Sequence, residues 1–478
     1  MKNFLGLYRH VHLSHAKSLT GEMFVSMGMN AMSGRDLFAE GGLIAFSEGR
    51  IANREKLLRQ LKLPEDAPGS LIVNRAYRMW GADYPRRIEG GAITAVIDRA
   101  EERLILSADR MGALPVFYAW RGRSAAFASH PDFLLNSGVC GRCVDKTGLR
   151  ELFFAPGMYT PGRTPFRDIR LLEPGCVLIA DNRGTRVKRY ALFSDMLEKW
   201  RSNENSGLDE VIASVVRLLA PDGAGVLIAD DLSEKTARMT GEGEKYTAYL
   251  FDSSEIQDAD DFSETMGDIN LALGMPGAGL SDAALLWQMK QVFEKERCIL
   301  LGGDLPEASE NESPGGFLKP EIAHRLGCDT YFGDRINDAM DRFRFALDEE
   351  EEAEKARRAA AAYSFLPSYF MRVSMLSSFA GGEAHSLWQD EKIAAYRILS
   401  DGGKEKPRGK EYAPSARLTA QIVSAASDVL NDSANPVYPL LDPTRVYRAI
   451  ENKDTDKLSK LLGINLWLSQ YEAEILPF

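Results

Sequence analysis

The segment Ala224-Gly-Val-Leu-Ile-Ala-Asp-Asp-Leu-Ser-Glu-Lys235 constrains the fold of this chain more than any other stretch. An apolar run followed by polar residues predicts a buried strand, a tight turn and a helix, which is where an α/β fold places a phosphate-binding loop. Such a loop needs glycines, because backbone N–H groups must approach the phosphates closely. Asp230 and Asp231 stand in the turn instead, and two carboxylates would repel a polyphosphate unless a metal ion intervened. The segment therefore predicts the frame of a nucleotide site without its phosphate contacts.

Length and composition limit the class of protein. The 478 residues suffice for two or three domains, each with its own core. The net charge of −11 argues against nucleic acids and anionic membranes as partners. The sequence has no apolar run long enough to span a bilayer. Five cysteines in so long a chain do not make a disulfide framework, so we expect a cytoplasmic protein.

Two cysteines form the pair Cys140-Gly-Arg-Cys143. The pair is either half of a zinc site, a redox pair, or two ordinary thiols in a surface turn. A structural zinc site needs a second close pair of ligands, whereas Cys176, Cys298 and Cys328 are isolated and the six histidines show no ligand spacing. We therefore favour ordinary thiols and predict no metal site.

The distribution of apolar segments predicts two kinds of domain. Up to about residue 190, short apolar segments flank turns, as in antiparallel hairpins, and only Arg54–Leu61 and 71–80 show helical spacing. This pattern favours an α+β domain with two antiparallel sheets as layers. The predicted strands are 91–98, 103–109, 115–120, 124–129, 176–180 and 186–190.

Beyond a polar stretch at 199–207, strand-like runs alternate with helical ones, which favours an α/β domain with a parallel sheet. The predicted strands are 225–228, 246–251 and Cys298–Leu301, and the predicted helices are Leu208–Leu219 and 282–296. The remainder, from about residue 334, is predicted to be mostly helical. We place the domains at 1–195 and 208–478, joined by a linker at 196–207.

Several short motifs in the first half resemble a known family. Glu48-Gly-Arg-Ile-Ala-Asn53, with Leu57 after it, resembles the G-x-I-x-N-x-x-x-L stretch of class II glutamine amidotransferase domains. The motifs that follow in order are Ala76-Tyr-Arg-Met-Trp-Gly81, Ile88-Glu-Gly90, Val96-Ile-Asp98, Ala108-Asp-Arg-Met-Gly112, Pro115-Val-Phe-Tyr118 and Phe127-Ala-Ser129. Together they resemble the amino-terminal half of asparagine synthetases. By its layout, the second half resembles the synthetase domain that these enzymes share with β-lactam synthetases and lasso-peptide cyclases.

The resemblance implies a sandwich of the Ntn amidotransferase type, followed by a synthetase domain of the PP-loop ATPase type. It also implies a glutaminase that uses a cysteine at position 2, whose proton goes to its own α-amine. Position 2 is Lys2, and the first cysteine of the chain is Cys140. We therefore expect no glutaminase activity, as in β-lactam synthetases and lasso cyclases, which also lack this cysteine.

The resemblance further implies an ATP-binding motif, S-G-G-x-D-S, on the strand-to-helix turn. The matching positions are Ala229, Asp230, Asp231, Leu232, Ser233 and Glu234. Both glycines, the leading serine and the metal-binding aspartate are replaced. Asp230 and Asp231 are best explained as solvated turn residues or helix caps, and the alternative is a new metal site facing Asp304.

Three later motifs of the family also differ. The S-G-E-G-A-D-E motif corresponds to 301–307, where the aspartate position holds Pro306 and the remnants are Gly302, Gly303, Asp304 and Glu307. The K-x-D-R pattern corresponds to Arg372-Val-Ser-Met375, without its acid and its following arginine. A last pattern, E-x-R-x-P-F-L-D, keeps its first and last acids as Glu383 and Asp390. The resemblance also implies a late catalytic lysine. It would fall in the region of Lys404, Lys406 and Lys410, and the sequence does not say which of the three it is.

Catalytic residues are replaced at four separate motifs, whereas the apolar strands around these motifs are retained. This pattern favours a protein that is selected for its fold and not for its chemistry. We predict a non-catalytic binding or scaffold homologue in a peptide-forming or amide-forming pathway, with no cofactor. Its partner would be a protein or peptide, a second copy of the chain, or an active synthetase. The alternative is a divergent amide-bond-forming ligase that uses ATP and Mg²⁺.

Overall fold

The structure is a computed structural model that describes residues 3–9, 22–201, 208–228, 231–240, 245–250, 261–302, 313–327, 330–340, 350–399 and 414–478. Contacts divide the chain into two compact units. The first unit comprises residues 1–141 and 168–196, and the second comprises residues 142–167 and 197–478. The domain boundaries drawn from composition stay a prediction.

The first unit contains two six-stranded antiparallel sheets, which confirms the predicted layers. The first sheet has the spatial order Arg170–Leu171, Phe117–Arg121, Ser124–Ala128, Leu5–Tyr8, Asn30–Ser33 and Phe24–Met27. The second sheet has the order Gly184–Arg189, Cys176–Asp181, Arg103–Ser107, Ala92–Asp98, Leu43–Gly49 and Leu37–Glu40.

The two sheets share an apolar core. Phe4 and Phe127 of the first sheet region belong to the same buried cluster as Phe46, Ile93 and Leu106 of the second sheet. The ring centroids of Phe4 and Phe46 lie 4.9 Å apart, a distance typical of attractive aromatic contacts. Alternate residues of each strand therefore point into a sandwich core.

Helices cover the other face of the second sheet. The helices Arg54–Leu61 and Gly69–Trp80 place Leu57 and Ile72 in a buried cluster with Val96 of that sheet. Because it is covered on both faces, the strand Ala92–Asp98 is buried along its whole length. The helices of this unit also include Pro131–Ser137 and the 3₁₀ segment Gly81–Arg87.

The second unit contains a four-stranded parallel sheet, as the alternating pattern predicts. Its spatial order is Tyr246–Leu250, Ala224–Ile228, Cys298–Leu301 and Glu383–Ser386, of which the last strand was not predicted. A short parallel pair joins Cys143–Val144 to Glu474–Ile475.

Helices account for most of the second unit, and they confirm the predicted helical carboxyl-terminal part. Among the described residues they are Lys146–Phe154, Leu208–Leu219, Asp231–Thr240, Phe262–Leu273, Leu280–Phe293, Pro320–Leu326, Tyr331–Met340, Glu350–Phe379, Glu391–Leu399, Ala416–Asn431, Pro443–Glu451 and Thr455–Gln470. The helix Phe193–Arg201 spans the point where the first unit passes into the second. None of the helices in the described ranges is long and apolar enough to cross a membrane.

Two leucines of one helix test the assignment of the second core. Leu273 is fully buried, whereas Leu271, on the same helix Phe262–Leu273, is 51% exposed. We expect Leu273→Ala to lower the free energy of unfolding by about 2–5 kcal/mol, because it leaves a cavity, and Leu271→Ala to change it by about 0.5 kcal/mol or less. Urea denaturation of both variants measures the difference, and equal losses would contradict the assignment.

Candidate functional site

Two of the predicted nucleotide-site remnants lie at the same edge of the parallel sheet. Leu227 pairs in register with Leu301, and because the two strands run parallel their carboxyl ends meet at one edge. The helix Asp231–Thr240 follows the first strand, and Gly302 follows the second. This edge is where parallel α/β sheets bind ligands. The remnants Ala229, Asp230, Gly303, Asp304 and Glu307, and the candidate lysines Lys404, Lys406 and Lys410, lie outside the described residues.

The described positions of the first motif are packed into the protein. Leu232 is 3% exposed and Ser233 is fully buried. Leu232 belongs to an apolar cluster with Val226 of the adjoining strand and Leu300 of the neighbouring strand. Its backbone carbonyl accepts a hydrogen bond of 2.7 Å from the hydroxyl of Thr236, one turn further along the helix. These positions therefore join the helix to the sheet.

Charged residues on the same helix form ion pairs. Glu234 pairs with Arg238 one turn later. The Nζ atom of Lys235 lies 2.5 Å from Oδ1 of Asp209, on the helix Leu208–Leu219. Both pairs are substantially exposed, so each contributes little to stability. The charged groups of Glu234 and Lys235 are thus engaged with neighbouring side chains.

The two retained acids lie apart along the last strand. Glu383 pairs in register with Cys298, at the amino ends of their strands and thus at the edge opposite to Gly302. Burial, with Glu383 and Glu296 nearby, raises the pKa of the Cys298 thiol to about 12. Asp390 follows the carboxyl end of the same strand and accepts a 2.8 Å hydrogen bond from the backbone N–H of Lys392. It caps the helix Glu391–Leu399, and burial raises the pKa of its carboxyl group.

Arg372, the first residue of the degraded K-x-D-R pattern, forms a buried ion pair. Its Nη1 atom lies 2.7 Å from Oδ1 of Asp282, and the two side chains are 8% and 2% exposed. The other carboxylate oxygen of Asp282 accepts a 2.6 Å hydrogen bond from the backbone N–H of Ala278. The pair therefore fixes the turn before the helix Leu280–Phe293 to the helix Glu350–Phe379. Sequence reasoning missed Asp282, because nothing local marks it as the partner of Arg372.

The structure shows no ready-made metal centre in the ranges it covers. Within those ranges, no group of three or more histidine, cysteine or acidic side chains is arranged to hold a metal ion. Cys140, Cys143, Cys176 and Cys298 form no disulfide bond with any cysteine that the structure describes. Burial, assisted by Asp168, raises the pKa of Cys140 to about 12, which leaves it as an unreactive thiol at neutral pH.

In the first unit, the motif at 48–53 holds two loops together. Gly49 and Gly90 both adopt positive φ angles, of +92° and +108°. A Cβ atom on Gly49 would lie 2.2 Å from the carbonyl oxygen of Gly91, and one on Gly90 would lie 2.5 Å from that of Arg50. The two backbones can approach this closely only because both positions are glycine.

The side chain of Asn53 also joins these two loops, and we call Gly49, Gly90 and Asn53 together the clamp. Its Nδ2 group donates a 2.8 Å hydrogen bond to the carbonyl oxygen of Arg87, and its Oδ1 atom accepts a 3.1 Å hydrogen bond from the backbone N–H of Glu89. Both polar atoms of the Asn53 amide are thus engaged with the backbone of the facing loop. The motif has a structural use that requires no substrate.

Other family-like motifs of this unit also hold backbone in place. The Asp109 carboxylate accepts hydrogen bonds from the backbone N–H groups of Met111 and Ala113, at 2.9 and 3.0 Å. Asp98 accepts a 2.8 Å hydrogen bond from the hydroxyl of Tyr77. The Ser129 hydroxyl accepts a 3.1 Å hydrogen bond from the backbone N–H of Phe4. Each acceptor satisfies donors that would otherwise be costly to bury.

A cavity of about 970 Å³ lies beside the clamp, within the first unit. Its walls are the segment 49–53, the first turns of the helix Arg54–Leu61, and Asp36, Ser47 and Gly69. Its size falls within the range of small-molecule sites. Sequence reasoning singled out 48–53 as a family motif, but it did not predict this cavity.

Comparison with known proteins supports the resemblance of the first part of the chain. Residues 39–191 match the family of glutamine amidotransferase domains. A relative, asparagine synthetase [glutamine-hydrolyzing] 3 of Bacillus subtilis (strain 168), is 27% identical over 186 residues, which are 38% of this chain. The match spans only 29% of that relative's length. The predicted resemblance to asparagine synthetases is therefore confirmed for this region, as a divergent one.

Two solved structures overlap more weakly. Glutamine phosphoribosylpyrophosphate amidotransferase from B. subtilis, complexed with ADP and GMP, is 13% identical, with a TM-score of 0.28. The structure of an allosteric regulatory enzyme of purine biosynthesis is 12% identical, with a TM-score of 0.27. Each overlap covers 63% of this chain and 74% of the other. At such TM-scores the overlaps carry no argument, and the description of the fold rests on the sheets themselves.

The buried ion pair gives a test of the structural use of Arg372. We expect Arg372→Met and Asp282→Asn each to lower the free energy of unfolding by about 3–5 kcal/mol, because each leaves a buried charge or acceptor without its partner. The matched control is Lys290→Met, which breaks an exposed pair with Asp268 and should cost about 1 kcal/mol or less. A double-mutant cycle in urea measures the coupling, and additive losses would contradict the pairing.

Proposed function

We propose that this chain, whose first part is an asparagine synthetase-like glutamine amidotransferase domain, is a non-catalytic binding or scaffold homologue in a peptide-forming or amide-forming pathway. In this proposal the synthetase-like fold is retained because its surface binds a partner. The partner is a peptide, a second copy of the chain, or an active synthetase.

The observation that carries the proposal is the burial of Leu232 and Ser233. In the resembling synthetases, these positions belong to the loop that binds ATP. Here one is an apolar core residue and the other is fully enclosed. A loop that binds phosphate must expose backbone N–H groups and small polar side chains to the ligand. Ser233 is buried and leaves no carboxylate for Mg²⁺ at the position of the metal-binding aspartate, which opposes nucleotide binding.

Two further observations support the proposal. Cys140, the first cysteine in the sequence, has a thiol pKa that burial raises to about 12, so it is not an activated nucleophile of the kind a glutaminase needs. The motif residues that remain in the first unit, among them Gly49, Asn53 and Gly90, are engaged in holding backbone. Sequence similarity over 39–191 is then accounted for by the demands of the fold.

One observation favours an alternative, a divergent ATP-dependent amide-bond-forming ligase. The strands Ala224–Ile228 and Cys298–Leu301 are adjacent and parallel, so the two predicted remnants leave the sheet at one edge. That geometry suits a nucleotide bound across two strand ends. In the ligase proposal, acids of the turn and of 304–307 would hold Mg²⁺, and they lie outside the described residues.

Nucleotide binding separates the two proposals. We expect isothermal titration calorimetry of the full chain with ATP and Mg²⁺ to show no binding up to millimolar ATP, because the turn lacks a glycine nest. We also expect no ATP–pyrophosphate exchange with free amino acids or with peptides that carry a free carboxylate. An active asparagine synthetase, assayed under the same conditions, serves as the positive control.

Micromolar binding of ATP would contradict the non-catalytic proposal, and so would exchange that depends on added substrate. The variant Ser233→Ala provides the control for the origin of any signal. Exchange that falls in this variant belongs to the chain itself and favours the ligase.

A further inference from the structure

The cavity beside the clamp has an excess of positive charge. Arg50, Arg54, Lys56 and Arg59 line it, and the acids among its lining residues are Asp36 and Glu55. A cavity with more cations than anions attracts negatively charged ligands.

Both lining acids are already engaged. Asp36 accepts hydrogen bonds from the backbone N–H group and the hydroxyl of Ser70. Glu55 lies 3.3 Å from Arg59, one turn along the same helix. Neither carboxylate is left to neutralise the remaining cations.

Two of the four cations have no such engagement. Arg54 donates hydrogen bonds to the backbone carbonyl oxygens of Glu65 and Ala67, and Arg59 pairs with Glu55. The side chains of Arg50 and Lys56 form no hydrogen bond or ion pair with any residue that the structure describes. The cavity therefore offers two free cationic groups.

The surroundings of Arg50 oppose its charge. Partial burial lowers the pKa of its guanidinium from the ordinary value, and no neighbouring acid offsets this effect. The group stays charged at neutral pH, and Arg50 is exposed, so a ligand in the cavity can reach it. An arginine also presents several donors in a planar fork, which suits the oxygens of carboxylate and phosphate groups.

The backbone that carries Arg50 is fixed. Gly49 precedes Arg50 in a conformation that glycine favours. The carbonyl oxygen of Arg50 faces Gly90 across the clamp. The backbone N–H of Arg50 donates a 3.0 Å hydrogen bond to the carbonyl oxygen of Gly91. Asn53 holds the end of the same segment. The position of the Arg50 backbone at the wall of the cavity is therefore fixed before any ligand binds.

We infer that this cavity is a binding site for a small organic oxyanion, a molecule with carboxylate or phosphate groups, held by Arg50 and Lys56. The site needs no nucleophile and no cofactor. The inference does not depend on the proposed non-catalytic role, since it concerns residues of the first unit only.

Calorimetry with defined anions tests the inference. The probes are citrate and inorganic pyrophosphate, which represent the carboxylate and phosphate sources, and glutamine, whose net charge is near zero. We expect the full chain to bind citrate or pyrophosphate more tightly than glutamine. Arg50→Gln should weaken that binding by about tenfold or more, and Lys56→Gln by about threefold to tenfold, as expected for charge-assisted hydrogen bonds.

The matched control is Arg123→Gln, which removes the same charge from the turn between the strands Phe117–Arg121 and Ser124–Ala128. It should leave the affinity unchanged. Because the Arg50 and Lys56 side chains have no described partner, both cavity variants should keep the melting temperature of the parent chain. If Arg50→Gln fails to fold, the anion affinity of Lys56→Gln tests the inference instead. Absence of anion binding at millimolar concentration would overturn the inference, and so would equal affinity in the parent chain and the cavity variants. Neither result would bear on ATP binding by the second unit.

Discussion

The packing of Leu232 between the parallel sheet and the helix that follows it is the constraint on which the second unit depends. It lies in one apolar cluster with Val226 and Leu300, which come from adjacent strands. Fully burying a leucine side chain contributes about 1.5–3 kcal/mol, so Leu232 holds the start of the helix Asp231–Thr240 against the sheet. A nucleotide loop in the same place would need backbone groups free to turn toward phosphate. Leu232 therefore joins the start of the helix to the core, and Ser233 is buried without a carboxylate where the resembling synthetases have their metal-binding aspartate.

In the first unit too, residues of family motifs have a structural role, here through glycine conformation and hydrogen bonds. Gly49 and Gly90 let two backbones meet, and Asn53 ties them with both atoms of its amide. Motifs that recur in a family of enzymes can persist for this reason after the reaction is lost. The similarity over 39–191 therefore reports shared architecture, while the cavity beside the clamp has its own pattern of charge. The clamp is made by Gly49, Gly90 and Asn53, whereas the side chains of Arg50 and Lys56 take no part in it.

The sequence predicted what depends on local pattern. Alternating apolar residues identified the hairpins, and the apolar run before Asp230 identified the strand Ala224–Ile228. The sequence did not predict contacts between residues that lie far apart along the chain. Arg372 and Asp282 are 90 residues apart, and residues 142–167 join the second unit although they precede part of the first. The strand Glu383–Ser386 is short and has a single apolar residue, Ala384, so its pattern gave no signal. Its place in the sheet sets Glu383 at the edge opposite to Gly302.

Hydrogen–deuterium exchange of the backbone amides in the segment 224–240 tests the central claim most directly, because it reports on the turn itself. The exchange is followed by mass spectrometry on the full chain, with and without millimolar ATP and Mg²⁺. If the turn serves the core, exchange in this segment is the same in both conditions, and the hydrogen-bonded amides of the strand Ala224–Ile228 are already slow without nucleotide. Marked slowing of exchange in this segment on addition of ATP would contradict the account.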